Sequence, residues 1–397
     1  MAITDKKTGV WGLDQTYNKI NQGSIWDYSG ITRFFTWGGN NYGASGLSAA
    51  PTGRYSSPVQ LPGDNQWSKI GSSGYGRGFL GLKTDGTLWA WGRNHKGQIG
   101  SNTVTTPGVS SPIQIGTDTT WGSEFSLVSH ALAIKTDGTL WAWGENAYGG
   151  LAQNNTTLRS SPVQIPGTTW SKVTTTNQAN IATKTDGTLW AWGYNHRGQL
   201  GQNNTTPYSS PVQIPGDWSG GNIGSCASEN DFFAIKTDGT LWAWGFNVNN
   251  GTLAQNDRTD RSSPVQIPGT TWSGVFGGAN HVIATKTDGT LWSWGGNGDG
   301  SLGINQGHAP GNVGRSSPTQ IPGTTWNTGA GGQNFSVITK TDGTIWAWGN
   351  NTYGQIGQNT GFNDGADDYS SPVQVGSDAG WSEPAAAAYD VFAKKTL

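Results

Sequence analysis

The chain has 397 residues, of which 63 are Gly and 22 are Trp, with only 12% charged residues and a formal net charge of -2. Without a lysine or arginine cluster it lacks the basic stripe of a protein that lives on phosphate contacts, so nucleic-acid binding is not expected. A single cysteine, Cys226, excludes an intrachain disulfide and a Cys-based zinc cluster.

The opening, MAITDKKTGVWGLDQ, carries no apolar stretch behind its lysines and does not read as a secretory signal. No run approaches the roughly 18 apolar residues of a membrane span, so a soluble chain without membrane insertion is expected. Residues 1–30 hold Trp11, Tyr17, Trp26 and Tyr28 and share no pattern with residues 31–397. Aromatics left over from a repeat are interface candidates, so this segment is expected to be an arm that anchors to a partner or packs back on the rim.

From residue 31 onward three landmarks recur about every fifty residues. Trp-Gly pairs begin at Trp37, Trp91, Trp143, Trp192, Trp244, Trp294 and Trp348. Ser-Ser-Pro begins at Ser56, Ser110, Ser160, Ser209, Ser262, Ser316 and Ser370. A third tryptophan stands at Trp67, Trp121, Trp170, Trp218, Trp272, Trp326 and Trp381. That period belongs to a propeller blade or a solenoid unit.

The decapeptide KTDGTLWAWG (83–92, returning at 135–144, 184–193 and 236–245) shows which. Its Asp-Gly predicts a two-residue type I′ hairpin turn. The strand after it puts Trp89 and Trp91 on one face and Leu88 and Ala90 on the other, so both faces must be covered, as in a blade held between two others. The SSPVQIPG element, with prolines at both ends, suits an edge strand. Together with the TTW element this gives four strands per unit and predicts an all-β, seven-bladed β-propeller over 31–397.

The ends predict its closure. Lys395-Thr396 matches the Lys-Thr that opens the decapeptide, while FFTWGGN at 34–40 matches LWAWGRN with no such opening before it. N- and C-terminal strands should therefore share one blade, which removes free strand edges.

Residues present in every unit are expected to build blades, whereas sites should lie in the parts that do not repeat. The histidines are dispersed: His95 and His196 fall in one slot two blades apart, and His130 and His281 precede hairpins in different units. No metalloprotease, nucleophile-elbow or phosphate-loop motif occurs, so neither an enzyme nor a cofactor is expected. The longest loops, INQGHAPGNVGRSS and GQNTGFNDGADDYSS, offer His308, Tyr353 (just before the second) and Phe362 as binding candidates. Asp364, Asp367 and Asp368 make a weak calcium candidate, since calcium favours clustered oxygens, but the spacing fits no EF-type loop.

The segments GRNHKGQIG (92–100), GYNHRGQLG (193–201) and GNNTYGQIG (349–357), each followed by Ser-Ser-Pro, resemble the regulator of chromosome condensation repeat, a seven-bladed propeller. GFNVNNGTLA (245–254) and GGNGDGSLG (295–303) depart from it. The founding member of that family is a nucleotide-exchange factor for a nuclear-transport GTPase and binds chromatin. The resemblance thus implies a regulatory, protein-binding propeller as one expectation. Exchange by a projecting wedge is not expected, because the Ser-Ser-Pro to Lys-Thr-Asp-Gly segments differ by only about three residues.

The opening TGVWGLDQxYNKxxQGSIWxYSG also resembles openings of propeller proteins in marine phage genomes. With the uncharged, Asn- and Gly-rich composition, this makes a virion component the leading expectation: a tail-fibre, adhesion or decoration protein. Its arm would bind other virion or surface proteins, and its propeller would meet a host receptor or glycan.

Overall fold

The computed structural model of the chain describes residues 31–49, 53–62, 66–218, 222–226, 230–307, 314–361 and 367–397. These residues form seven antiparallel sheets of four strands each. Blade 1 runs from the innermost strand Trp67–Gly71 through Gly78–Lys83 and Leu88–Asn94 to the outermost strand Thr105–Gln114. Blades 2 to 6 repeat this order with innermost strands Trp121–Leu127, Trp170–Thr175, Ile223–Cys226, Trp272–Gly277 and Trp326–Gly331.

The seventh blade takes its inner strands, Trp381–Ala386 and Asp390–Thr396, from the C-terminal end of the chain. Its outer strands, Thr32–Gly39 and Arg54–Gln60, come from the N-terminal half. The shared blade expected from the sequence is present: Thr32 pairs with Thr396 and the register runs unbroken to Gly38 opposite Asp390.

Each of the three tryptophan positions has its own task, the third being taken by Phe35 in blade 7. The Trp-Gly tryptophans, from Trp37 to Trp348, are all fully buried. The indole N–H of each donates to a loop carbonyl of the preceding blade, as from Trp91 to Ala44 O (2.9 Å), Trp294 to Thr252 O (2.6 Å) and, across the closure, Trp37 to Gln355 O (2.9 Å). One residue type thereby fills the interblade core and satisfies its polar atom across the same interface. The innermost tryptophans stand edge-on to it: Trp67 lies 5.7 Å from Trp91 and 6.2 Å from Trp89. The decapeptide's first tryptophan is only half-buried. Its indole donates to the turn threonine (Trp89 to Thr87 Oγ1, 2.8 Å), and the turn lysine caps the ring, with Lys83 Nζ 3.8 Å from its centroid. A cation over an indole face contributes on the order of 0.5–1 kcal/mol at such partly wet sites.

The Asp-Gly turn differs from the expected type I′. Gly86 has φ +81°, but Asp85 does not take positive φ. Lys83 accepts from Gly86 N–H and donates to Thr87 O, which makes a three-residue loop with glycine in the left-handed position. The reason is local chemistry: the Asp85 carboxylate accepts from both the N–H (2.9 Å) and the hydroxyl (2.6 Å) of Thr87, a turn held by its own side chains with Asp85 at negative φ. These bonds keep the Asp85 carboxyl below its usual range.

Candidate functional site

The ring has two unlike faces. One carries the Asp-Gly turns, where the lysine–tryptophan–threonine arrangement repeats blade after blade. The other carries the connections from innermost to second strand and the long loops after each Trp-Gly. In these loops a buried asparagine (Asn94, Asn146, Asn195 and their counterparts) accepts a backbone N–H five residues on, as from Ile99 to Asn94 Oδ1 at 3.1 Å, or six on for Asn247, from Leu253. On this long-loop face three features break the repeat.

The first is a plug. The connection from innermost to second strand is two to four residues in blades 2 to 7 but six, Ser72–Arg77, in blade 1. This loop crosses the axis. Ser73 Oγ donates to Thr175 O in blade 3 (3.0 Å), Gly76 O accepts from Ala388 N–H in blade 7 (2.7 Å), and a Cβ on Gly74 would lie 2.8 Å from Gly331 O and 2.9 Å from Gly277 O. Only glycine allows that approach. Beneath the loop, all seven innermost strands line a central cavity of about 290 Å³.

The second is a buried slot. The residue opposite each Trp-Gly glycine, at the start of the second strand, is Gly78, His130, Ala179, Asp231, His281, Phe335 and Asp390 in turn. Four of these seven are ionisable, and all four are at most 2% exposed. His130 Nε2 lies 2.6 Å from Asn180 Oδ1 and 3.0 Å from Thr175 Oγ1. His281 Nε2 lies 2.8 Å from Ser336 Oγ, while its Nδ1 is buried without a partner. Burial holds His281 down to about 4 and pushes the Asp390 carboxyl well above its ordinary value. Cys226 is buried beside this slot, its N–H donating to Asp231 Oδ1 at 3.1 Å.

A pH dependence follows. Because His281 is harder to protonate folded than unfolded, the unfolded chain binds more protons between about pH 6.5 and pH 4. Stability is therefore full above 6.5 and is lost as pH falls through that window, by up to about 3 kcal/mol from this group. His281→Phe, which copies the slot residue of blade 6, is expected to lessen the slope of the denaturation midpoint across that window, leaving the part due to His130, which burial also holds below its ordinary value. An unchanged slope would assign the effect elsewhere.

The third feature is an arginine–tyrosine cluster at the seam of blades 7 and 1. Arg77, from the plug, and Arg93 lie 5.5 Å and 5.3 Å from the ring of Tyr42, and Arg77 Nη1 donates to the Tyr42 hydroxyl (3.1 Å). Arg77 also lies 5.9 Å from the ring of Tyr75 and 5.8 Å from that of Tyr389. Tyr389 continues the cluster to Tyr353 (centroids 4.6 Å apart), over which Arg54 stands at 4.7 Å. Partial burial, and then the neighbouring charge of Arg77, keep the Arg93 guanidinium below its usual value.

Of the residues singled out from sequence, Tyr353 is thus half-buried at the edge of this cluster. Asp367 and Asp368 hold their own loop: Asp367 Oδ2 accepts from Gly361 N–H (3.1 Å) and Asp368 Oδ1 from Asn351 N–H (2.8 Å). Among the described residues no group of three His, Cys, Asp or Glu side chains is placed to hold a metal. Trp11, Tyr17, Trp26, Tyr28, His308, Phe362 and Asp364 lie outside the described residues. His95 and His196 sit in separate blades, half-buried and exposed respectively. No sequence motif marks Tyr42, Tyr75, Arg77, Arg93 or Tyr389 as a site residue. Among the described residues no helix is long and apolar enough to cross a membrane.

Comparison with known proteins agrees with this geometry. Profiles of the regulator of chromosome condensation (RCC1) repeat match residues 186–223 and 238–285, and, with a second profile, 71–98, 128–149 and 329–355. Protein RCC2 homolog from Xenopus laevis is 34% identical over 85 residues (21% of this chain, 17% of its own). Protein RCC2 from Homo sapiens is 36% identical over 92 residues (21% and 16%). The matched stretch spans less than a fifth of these relatives.

Among solved structures, Prp20p from Saccharomyces cerevisiae superposes with a TM-score of 0.79 at 17% identity, covering 93% of each chain. Yeast RCC1 (Prp20) bound to Kap60 superposes with a TM-score of 0.79 at 18% identity (92% of this chain, 89% of that one). Human WBSCR16 superposes with a TM-score of 0.75 at 20% identity (92% and 99%). The chain carries regulator of chromosome condensation repeats, closed into a seven-bladed β-propeller.

Proposed function

We propose that this chain is a non-enzymatic, regulatory protein-interaction propeller that receives its partner on the long-loop face. The observation behind this reading is the seam cluster. Four tyrosines and three arginines gather where the repeat is broken, on a molecule whose opposite face repeats one turn in six of its seven blades. Tyrosine and arginine are the residues that most often anchor protein interfaces. The relatives lend weight. Yeast Prp20 is described in complex with Kap60, and Prp20p through its binding to Gsp1p and histones. A protein partner is by analogy the class to test first.

A photo-crosslinking phenylalanine derivative in place of Tyr353 should capture a discrete partner that excess unlabelled chain competes away. The same group in place of Thr136, on the turn face, should not. Equal capture from both faces would defeat the reading.

The exchange-factor alternative is separated by nucleotide release from a panel of small GTPases, where binding without accelerated release is expected. A glycan-binding role predicts saturable signals on a glycan array, lost on Tyr353→Ala. The virion reading rests on the opening segment, outside the described residues, and the relatives named above lend it no weight. The regulatory reading therefore stands first.

A further inference from the structure

We infer that the Arg77–Tyr42–Arg93 cluster is a receptor for adjacent carboxylates on an acidic segment of a protein partner, an inference that rests on the interaction reading above. Two guanidinium groups flank one tyrosine ring at 5.5 Å and 5.3 Å, and among the described residues no carboxylate lies within ion-pair distance of either. The neighbouring basic groups of this face are answered: Lys96 by Glu145 (3.3 Å) and Arg197 by Asp260 (3.5 Å). Two like charges this close, with Glu145 bonded to Lys96 and attracting Arg93 only from beyond ion-pair distance, are costly, and an incoming pair of carboxylates would relieve that cost while accepting charge-assisted hydrogen bonds.

The backbone points the same way. Tyr42 has φ +64°, whereas its repeat counterparts Lys96, Tyr148, Arg197 and Tyr353 do not take positive φ. A bulky residue in the left-handed region is strained, and such strain persists where the position of a side chain is constrained. All three residues are half-buried, so the guanidinium groups are partly desolvated yet reachable. A phosphate backbone fits less well. The same face carries Glu145, Asp260 and Asp299, and the chain as a whole is at -2, so no basic track leads away from the cluster.

The test is fluorescence anisotropy of the full chain with a fluorescein-labelled peptide Glu-Asp-Glu-Tyr-Glu-Asp, against the same peptide with lysines for the acids and against a labelled oligothymidylate. Three variants accompany it. Arg93→Gln removes one charge, Tyr42→Gly removes the ring and relieves its backbone, and Arg197→Gln is a control on another blade. Saturable binding of the acidic peptide is expected, weakened about tenfold or more by Arg93→Gln and by Tyr42→Gly and unmoved by Arg197→Gln. Melting curves would confirm that each variant is folded.

Absence of saturable binding, equal loss in the control, or tighter binding of oligothymidylate than of peptide would overturn the inference. If the peptide fails while capture through position 353 persists, the acidic receptor is wrong and the interaction reading survives.

Discussion

Deleting residues 390–397 is expected to abolish the cooperative unfolding transition altogether. The deletion removes the strand on which the ring closes. Asp390–Thr396 pairs with Thr32–Gly39 over seven consecutive residues and with Trp381–Ala386 on its other side. With it go the fully buried Val391, Phe392 and Ala393. Phe392 stands 4.5 Å from Phe79 and 5.6 Å from Trp91, so the seam between blades 7 and 1 loses an aromatic partner as well. Two open strand edges remain, on Trp381–Ala386 and on the detached outer hairpin of Thr32–Gly39 and Arg54–Gln60, which is an invitation to aggregate.

A circular permutant separates the loss of a strand from the loss of closure. Leu397 N–H donates to Ile31 O at 2.9 Å, so a short linker can join these ends, and the chain can be reopened between the exposed Gly269 and Thr270. All strands are then kept, yet no blade is shared by both termini. This permutant should fold, but unfold at least about tenfold faster than the parent. Unchanged unfolding kinetics would mean that the shared blade does not act as a clasp.

The architecture is legible in the sequence because the chain states it seven times. Trp-Gly, Ser-Ser-Pro and the TTW element fix strand order and periodicity. The fragment Lys395-Thr396, left without its Asp-Gly, finds its complement at residues 34–40, and the pairing of Phe34 with Lys394 agrees with that match. The turn departs from the expected type because Asp-Gly alone does not choose between two-residue and three-residue loops. The threonine after it decides, through its hydroxyl bond to Asp85.

The seam cluster is out of reach of the sequence for a different reason. Tyr42, Arg77, Arg93 and Tyr389 come from loops far apart in the chain and meet only because the ring closes. Length alone does not mark the plug: Lys83 lies 27 positions after Ser56, three more than Lys184 after Ser160, but Lys236 also lies 27 after Ser209, ahead of a blade whose inner connection is only four residues. That surplus is too small for a projecting wedge. No periodicity signals that it turns inward, because its path depends on how closely Gly74 approaches the carbonyls across the axis.

Gly349→Ala is expected to cost at least about 3 kcal/mol, and Gly376→Ala only about 1 kcal/mol, although both glycines have positive φ. Gly349 has φ +103°, and the seven Trp-Gly glycines all lie between +97° and +109°, beyond the left-handed well that other residues can enter. A Cβ there would meet Asn334 O at 2.4 Å and the Cα of Phe335 at 2.6 Å. These are backbone atoms of the second strand, so relief requires moving the slot residue and, with it, the interblade core around the buried Trp348. Gly376 has φ +65°, and an added methyl there would find nothing within 4 Å, so alanine bears the conformational cost alone. Urea denaturation of the two variants against the parent measures the difference. Equal losses would show that the Trp-Gly glycine serves only its own dihedral angles. A large gap would show that it exists to let the second strand come close, which is what places His130, Asp231, His281 and Asp390 in their buried slot.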